Sequence, residues 1–217
     1  MKSDAQLKKD VEDELDWDPS INAAEVGVAV KDGVVTLSGQ LESFMEKYEV
    51  EKVVQRVAGV RAVAIEIDVK LNGGSKRSDT EIAHAVETAL AWHSSVPAER
   101  TKAKVEKGWV TLSGEVDWEY QRATAANLVR PLLGVVGVSN AIVLKPRTTP
   151  GNIEKRIRDA LTRRAEREAK GIEVSINGST AVLRGSVHTW AEREAAQGAA
   201  WSAPGVTRVD NELRVNS

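Results

Sequence analysis

The sequence predicts an α+β fold made of three tandem αββαβ modules, each a three-stranded mixed sheet with two helices on one face. A repeated string predicts the number of modules: GVVTLSGQL at 33–41 returns as WVTLSGEV at 109–116 and, less closely, as AVLRGSV at 181–187. Within each copy the apolar spacing passes from a helical period to a strand period, back to a helical period, and ends on a strand period. The same order in all three copies indicates one module repeated along the chain.

Two loop-like segments separate the copies. NGGSKRS at 72–78 and PRTTPG at 146–151 are rich in Gly, Pro, Ser and Thr, which favour loops. They predict domains at 1–72, 77–147 and 150–217. Domains of about 70 residues are near the lower size for independent folding, so we expect packing between modules to contribute to stability.

Each copy opens with apolar residues at positions i, i+4 and i+8, the spacing of one face of a helix. Asp4 and Asp79 precede the first two of these patterns and are predicted N-caps. Trp17 and Trp92 share one position at the end of this helix, and we expect both in the core. The three helical patterns are Leu7, Val11 and Leu15, then Ile82, Val86 and Leu90, then Ile153, Ile157 and Leu161.

A hairpin is predicted next. Apolar residues alternate over 26–30 and 35–41 around the dipeptide Asp32-Gly33, a combination that favours a tight turn between antiparallel strands. In the second copy the alternation turns Val110 toward the helices and Trp109 away from them. The glycine that recurs in the second strand, at Gly39, Gly114 and Gly185, falls on the inward face, where we expect helix and strand backbones to approach closely.

A second helix and a third strand complete the module. Gly59 is placed to end the helix, and the alternation over 63–69 predicts the last strand. In the third copy the second helix is rich in alanine, so its core is expected to be thinner or to be filled by Trp190 and Trp201. The helical pattern in the first copy consists of Val50, Val53, Val54 and Val57.

Composition limits the class of protein. The chain has no cysteine, so no disulfide or thiolate chemistry is available, and no apolar run has the length of a signal peptide or a transmembrane helix. Formal charges of −6, +2 and +2 for residues 1–72, 73–147 and 148–217 do not favour nucleic acid. We expect a cytoplasmic protein, or a periplasmic one if the sequence begins where a signal peptide has been removed.

The repeat resembles a known module. The pattern G-x-V-x-L-x-G-x-V, then a helix, then G-V-x-x-V-x-N-x-[IL]-x-V is similar to the BON domain, named from bacterial osmotic-stress and nodulation proteins. Residues 205–215 match it best and 134–144 follow, whereas the first copy has Ile65 at the asparagine position. The resemblance implies a non-catalytic envelope or stress protein that contacts phospholipid surfaces, accompanies pores, or binds potassium together with a LysM module. It brings no catalytic residues, and this chain has no LysM-like segment.

The middle copy contains the candidate contact surface. By strand alternation Trp109 shares an outward face with Lys102, Lys104 and Val143, an apolar and basic composition that suits an anionic phospholipid surface or an envelope protein. The alternative is that this face packs against another module. The sequence therefore predicts a non-enzymatic binding protein without cofactors, and it leaves the oligomeric state open.

Catalytic and metal sites have little support. The histidines, His84, His93 and His188, lack metal-binding spacing, and no nucleophile or phosphate-binding motif is present. An acidic run that includes Asp13, Asp16 and Asp18 offers oxygen ligands for calcium or potassium, although a solvated helix face is the favoured interpretation. A soluble cation-binding or cation-sensing protein is thus the alternative function.

Overall fold

The αββαβ order occurs three times in the structure, a computed structural model that describes residues 2–145, 153–164 and 172–215. The α+β fold class predicted from the sequence is confirmed. Each copy has its own mixed sheet, and the apolar residues that the periodicity placed on the inner faces form the buried core. Burial of these one-sided apolar faces is the main favourable contribution to folding.

The first module consists of α1 (Asp4–Trp17), β1 (Val26–Lys31), β2 (Val34–Leu41), α2 (Phe44–Arg56) and β3 (Ala62–Val69). Its strands are ordered β1-β2-β3, so the second strand is central. The buried residues of its helices are those of the predicted apolar faces: Leu7, Val11, Leu15, Val50, Val53 and Val54.

The second module consists of α3 (Asp79–Trp92), β4 (Thr101–Glu106), β5 (Trp109–Val116), α4 (Glu119–Val129) and β6 (Gly137–Leu144). Strand β5 pairs with β4 in the antiparallel direction and with β6 in the parallel direction, which makes the sheet mixed. One core joins the helices to the inner sheet face and includes Ile82, Val86, Val110, Leu112, Val129 and Ile142.

The third module contains α5 (Ile153–Arg164), β7 (Ile172–Asn177), β8 (Thr180–Val187) and α6 (Trp190–Trp201). Its last strand is divided into β9 (Arg208–Asn211) and β10 (Arg214–Val215), which both pair with β8 in the parallel direction. Trp201 packs against the alanine-rich core, as one of the sequence-based alternatives expected. The side chain of Leu161 lies outside the described residues.

The predicted N-caps are wrong by one residue. Ser3 and Ser78 cap α1 and α3, and their side chains accept from the backbone N–H groups of Gln6 and Glu81. Serine and aspartate are equally good N-caps, and the serine has this role because it stands just before the first residue of the helix. The carboxylate of Asp79, one residue later, instead accepts hydrogen bonds from a distant turn.

The recurring glycine also has a different neighbour from the one expected. Gly114 has φ +131°, a conformation that favours glycine, and a Cβ at this position would lie 2.0 Å from the carbonyl oxygen of Arg100. Arg100 belongs to a short 3-10 turn before β4. The close approach is therefore to this turn, and the expectation of contact with a long helix was wrong.

By the density of their contacts the residues form two compact units. One comprises Met1–Ser38, Val50–Glu66 and Pro146–Ser217, and the other comprises Gly39–Glu49 and Ile67–Lys145. The first module contributes residues to both units. The division into three domains with the boundaries given above stays a prediction.

Within the first unit, helix α6 contacts the first module. The indole Nε1 of Trp190 donates a hydrogen bond of 3.1 Å to the carbonyl oxygen of Val60, and the carboxylate of Glu194 forms an ion pair with Lys52. Trp190 therefore joins two modules, a role that the sequence did not predict. This contact agrees with the expectation that modules of this size pack on one another.

Within the second unit, the first turns of α2 contact the second module. Phe44 packs against the core of that module, and the guanidinium carbon of Arg130 lies 4.1 Å from the ring centroid of Tyr48. Phe44 and Tyr48 occupy the positions in α2 that Trp190 and Glu194 occupy in α6. The same two helix positions thus make contacts between modules in both units.

Candidate functional site

The hairpin that forms the candidate surface is fixed at its turn by Asp79. The carboxylate of Asp79 accepts hydrogen bonds of 2.8 Å from the backbone N–H groups of Lys107 and Gly108. Both turn residues have positive φ, as a two-residue turn between antiparallel strands requires. This turn sets the register of β4 and β5, in which Glu106 lies directly opposite Trp109.

The strand alternation predicted from the sequence is confirmed. Val110 and Leu112 are fully buried on the inner face, whereas Trp109 remains 49% exposed on the outer face. Strand pairing places all four predicted contact residues on this outer face of β4, β5 and β6. Its members by register are Lys102, Lys104, Glu106, Trp109, Thr111, Ser113, Glu115, Gly137, Ser139, Ala141 and Val143.

The four residues share a face but do not form one spot. Trp109 pairs with Gly137 at the turn end of the sheet, whereas Val143 pairs with Glu115 at the opposite end. Six residues of strand separate these two positions, a distance of about 20 Å. Val143 is 58% exposed, so the outer face carries an exposed apolar side chain near each end.

Trp109 is held in a defined orientation. Its Nε1 donates a hydrogen bond of 2.9 Å to the hydroxyl of Ser139. A Cβ on Gly137 would lie 2.3, 2.4 and 2.8 Å from the indole atoms Cε3, Cζ3 and Cδ2, distances that place it above the face of the ring. One face of the indole therefore covers Gly137, and the opposite face is turned away from the sheet. The sequence analysis missed Gly137 and Ser139, which lie on the same outer face of β6 as Val143 because all three are an even number of residues apart.

The charge of the face differs from the expected ring of lysines. Lys104 Nζ lies 2.9 Å from the carboxylate of Glu106, and this hydrogen bond raises the pKa of Lys104 above its ordinary value. Glu115 adds a second carboxylate beside Val143. With Lys102, the face carries two formal positive and two formal negative charges. The expectation of a basic surface was wrong because Glu106 and Glu115 have the same strand parity as the lysines.

Two tryptophans expected in the core are on the surface. Trp17 is 86% exposed and Trp92 is 87% exposed, so the expectation for both was wrong. Each stands two residues after the last buried leucine of its helix, Leu15 or Leu90. A step of two residues rotates a side chain by about 200° around a helix, which turns it to the opposite face. The two-residue step from the last apolar leucine to the tryptophan therefore indicated, in the sequence itself, that each tryptophan lies on the exposed face of its helix.

The acidic run does not converge in the structure. Asp13 pairs with Lys9 at 3.0 Å, and Asp18 accepts hydrogen bonds from the backbone N–H and the hydroxyl of Ser20, which lower its pKa. In the residues that the structure describes, no group of three or more His, Cys, Asp or Glu side chains is placed to hold a metal ion.

The histidines are also dispersed. His84 lies on the exposed surface of α3 with its Nδ1 3.9 Å from the carboxylate of Glu87, and His93 follows the last residue of that helix. The Nδ1 of His93 accepts a hydrogen bond from the backbone N–H of Ser95. His188 lies in the third module, where its backbone N–H donates to the carboxylate of Glu192. The three histidines therefore do not lie at one site.

No helix in the described ranges is both long enough and apolar enough to cross a bilayer. The expectation of a cytoplasmic location, with the periplasm as its alternative, stays a prediction.

A repeated asparagine connects the last strand to the second helix. Asn140 Nδ2 donates a hydrogen bond of 2.7 Å to the carbonyl oxygen of Arg122, and Asn211 Nδ2 donates one of 3.2 Å to that of Arg193. In the first module, where Ile65 replaces the asparagine, Lys47 Nζ in α2 donates to a carbonyl oxygen of β3. In the second and third modules the repeated asparagine thus has the same structural role, which is to join the last strand to the second helix.

Comparison with known proteins identifies the repeat. The Osmotically-inducible protein Y of Escherichia coli (strain K12) is 31% identical over 130 residues, which span 58% of this chain and 65% of that protein. The C-terminal domain of CdsD, the structural protein of the type III secretion system of Chlamydia trachomatis, is 17% identical with a TM-score of 0.28, covering 100% of both chains. A second CdsD structure is 18% identical with a TM-score of 0.25, covering 97% of this chain and 92% of that one. The BON domain model matches residues 3–70, 78–146 and 150–217, and the chain therefore belongs to the BON domain family.

Proposed function

We propose that this protein is a non-enzymatic binding protein that contacts phospholipid surfaces through the outer face of the β4–β6 sheet. The observation that carries the proposal is the exposure of Trp109 and Val143 on one sheet face, 49% and 58% respectively. The name of the Escherichia coli relative, an osmotically inducible protein, supports a role in osmotic stress.

The physical basis is the preference of an indole for the boundary between water and lipid. Tryptophan has a large apolar body and one polar N–H group, so it gains by lying at the headgroup level of a bilayer. Val143 adds apolar area at the other end of the face, and Lys102 provides an exposed cation between the two. Such a surface would lie on a membrane without crossing it.

The balanced charge of the face determines the kind of attachment. Because Glu106 pairs with Lys104 and Glu115 offsets Lys102, apolar contact contributes more than long-range attraction to anionic lipid. Binding through this surface should therefore weaken only slightly when the salt concentration rises. Attachment by one small face is weak, and additional contacts by the tandem modules would raise its effective strength.

Vesicle binding tests the proposal. Emission from the exposed Trp17 and Trp92 would mask a shift at Trp109, so the protein should carry Trp17→Phe and Trp92→Phe, which leave Trp109 as the most exposed indole. We expect a blue shift of tryptophan emission when this double variant is titrated with phospholipid vesicles. Adding Trp109→Phe should abolish the shift.

Co-sedimentation of the unmodified chain with vesicles gives an independent measurement. The paired substitution Trp109→Ala and Val143→Ser should reduce the bound fraction, whereas Trp17→Ala should leave it unchanged. No sedimentation of the unmodified chain with any vesicle would contradict the proposal. Equal loss with Trp17→Ala would move the contact to the end of α1.

A further inference from the structure

We propose that the shallow depression beside Trp109 binds a zwitterionic phospholipid headgroup, with its ammonium against the indole and Glu106 and its phosphate against the neighbouring lysines. The depression is lined by Lys104, Glu106, Lys107, Trp109 and Thr111. This inference rests on the proposed function, because it names the class of lipid that the same surface would prefer. A headgroup of this class carries one positive and one negative charge.

The indole of Trp109 provides a fixed platform for the cation. Gly137 lies under one face of the ring and the hydroxyl of Ser139 accepts from Nε1, so the ring cannot rotate without losing both contacts. The opposite face remains open. A cation above the face of a tryptophan ring is attracted by the negative charge of its π-system, and tryptophan is the best of the aromatic side chains in this role.

The carboxylate of Glu106 strengthens the preference for a cation at this position. Glu106 is directly opposite Trp109 in the register of β4 and β5. Side chains in such opposed positions have Cβ atoms about 5 Å apart, so a single ammonium group can contact both the ring and the carboxylate. Phosphate of an anionic lipid would meet repulsion from the same carboxylate.

Two lysines that line the same depression suit the phosphate. Lys104 lies on β4 at the border of the depression. Lys107 lies in the turn, where its backbone N–H donates to the carboxylate of Asp79. The ion pair between Lys104 and Glu106 is exposed and therefore contributes little to stability, so a headgroup can separate it at small cost. The depression therefore offers a carboxylate to the ammonium of the headgroup and lysine ammonium groups to its phosphate.

Two matched glutamate substitutions test the inference. Glu106→Gln removes the carboxylate beside Trp109, and Glu115→Gln removes the same charge from the far end of the same face. Both variants and the unmodified chain should be titrated with vesicles of phosphatidylcholine alone and of phosphatidylcholine mixed with phosphatidylglycerol, with circular dichroism as the check on folding. The emission of Trp109 in the Trp17→Phe and Trp92→Phe background reports binding.

We expect Glu106→Gln to weaken binding to phosphatidylcholine vesicles by about threefold, the size of one exposed ion pair, and to strengthen binding to the mixed vesicles. Glu115→Gln should strengthen binding to the mixed vesicles and leave binding to phosphatidylcholine unchanged. Equal affinity of the unmodified chain and Glu106→Gln for phosphatidylcholine would overturn the inference. So would binding of the unmodified chain to the anionic vesicles alone, although the proposed function would then stand. Failure to bind either vesicle would contradict the proposed function itself.

Discussion

The carboxylate of Asp79 accepts a hydrogen bond of 2.8 Å from the backbone N–H of Gly108, which is 29 residues later in the chain. The same relationship occurs in the first module, where Asp4 accepts from the backbone N–H of Gly33 at 3.1 Å. In both copies the first residue of a helix holds the turn of the following hairpin. This contact links the first helix to the hairpin in both modules, and in the middle module it orients the strands that carry Trp109.

Asp79→Ala should lower the free energy of unfolding by about 1.5 kcal/mol, because hydrogen bonds from Lys107 and Gly108 to a charged acceptor are lost. Faster amide hydrogen exchange at Gly108 would locate the effect at the turn. Glu87→Ala, a change on the exposed surface of the same helix, is the control and should leave both measurements unchanged. An Asp79→Ala variant as stable as its parent would show that the carboxylate contributes nothing to the turn.

The ionisation of Glu119 should reduce stability at neutral pH. Burial raises the pKa of Glu119 above its ordinary 4.5, and the ion pair with Arg122 at 2.7 Å opposes this only in part. A raised pKa in the folded state means that the proton is held more tightly there than in the unfolded chain. The associated stability is fully present below pH 4.5 and is lost as the pH rises through the folded pKa.

Glu119→Gln imitates the protonated side chain and should therefore raise the Tm by about 1–3 °C at pH 7. The difference from the parent should disappear below pH 4.5. Thermal unfolding followed by circular dichroism at several pH values measures it, with Glu87→Gln as the exposed control. A lower Tm at pH 7 would mean that the ion pair with Arg122 outweighs the cost of burial.

Gly137→Ala should displace the indole of Trp109. The new Cβ would lie 2.3 Å from ring atom Cε3, which is too close for two non-bonded carbons, so the ring must lift off β6 and lose its hydrogen bond to Ser139. We expect a loss of about 1 kcal/mol in stability and stronger quenching of tryptophan emission by acrylamide. Ser139→Ala removes only the hydrogen bond and should cause a smaller change in quenching. Identical quenching of the parent and Gly137→Ala would contradict this account of the ring position.

The sequence predicted what local spacing controls. Alternation placed Val110 inside and Trp109 outside, and the Asp32-Gly33 dipeptide located the first turn, because both depend on neighbouring residues. The role of Asp79 depends on a partner 28 to 29 residues away, which periodicity cannot reveal. A serine and an aspartate stand side by side at the start of α3. The serine caps the helix because it directly precedes it, and the aspartate is left to accept from the hairpin turn.

The candidate surface could be predicted only in part. Strand alternation located Trp109, Lys102 and Lys104 on one face, and the same rule applied to Glu106 and Glu115 would have shown that the face is balanced in charge. The orientation of the indole could not be predicted, because it depends on the register of β6, which brings Gly137 beside Trp109. Pairing of parallel strands joins residues far apart in the chain, and neither turn chemistry nor spacing fixes it.

Trp190→Phe should loosen the contact between the third and first modules. The substitution keeps an aromatic ring but removes the indole N–H that donates to the carbonyl oxygen of Val60 at 3.1 Å. One partly buried hydrogen bond of this kind contributes about 1 kcal/mol. Hydrogen exchange at residues near Val60 should accelerate, whereas Trp92→Phe should have no effect there. Unchanged exchange near Val60 would mean that Glu194 and Lys52 suffice for the contact.

Trp17→Phe and Trp92→Phe should leave the free energy of unfolding within about 0.5 kcal/mol of the parent, because both indoles are almost fully exposed and little apolar area is lost. The same variants should remove most of the tryptophan emission that acrylamide quenches readily. Trp201→Phe is the matched control, since Trp201 packs against the core of the third module and its truncation should destabilise the protein without lowering the quenchable fraction. A large loss of stability in Trp17→Phe would require the indole to be packed in solution. In that case Trp17 and Trp92 would still occupy the same position at the ends of α1 and α3, but that position would be a packed one and not an exposed one.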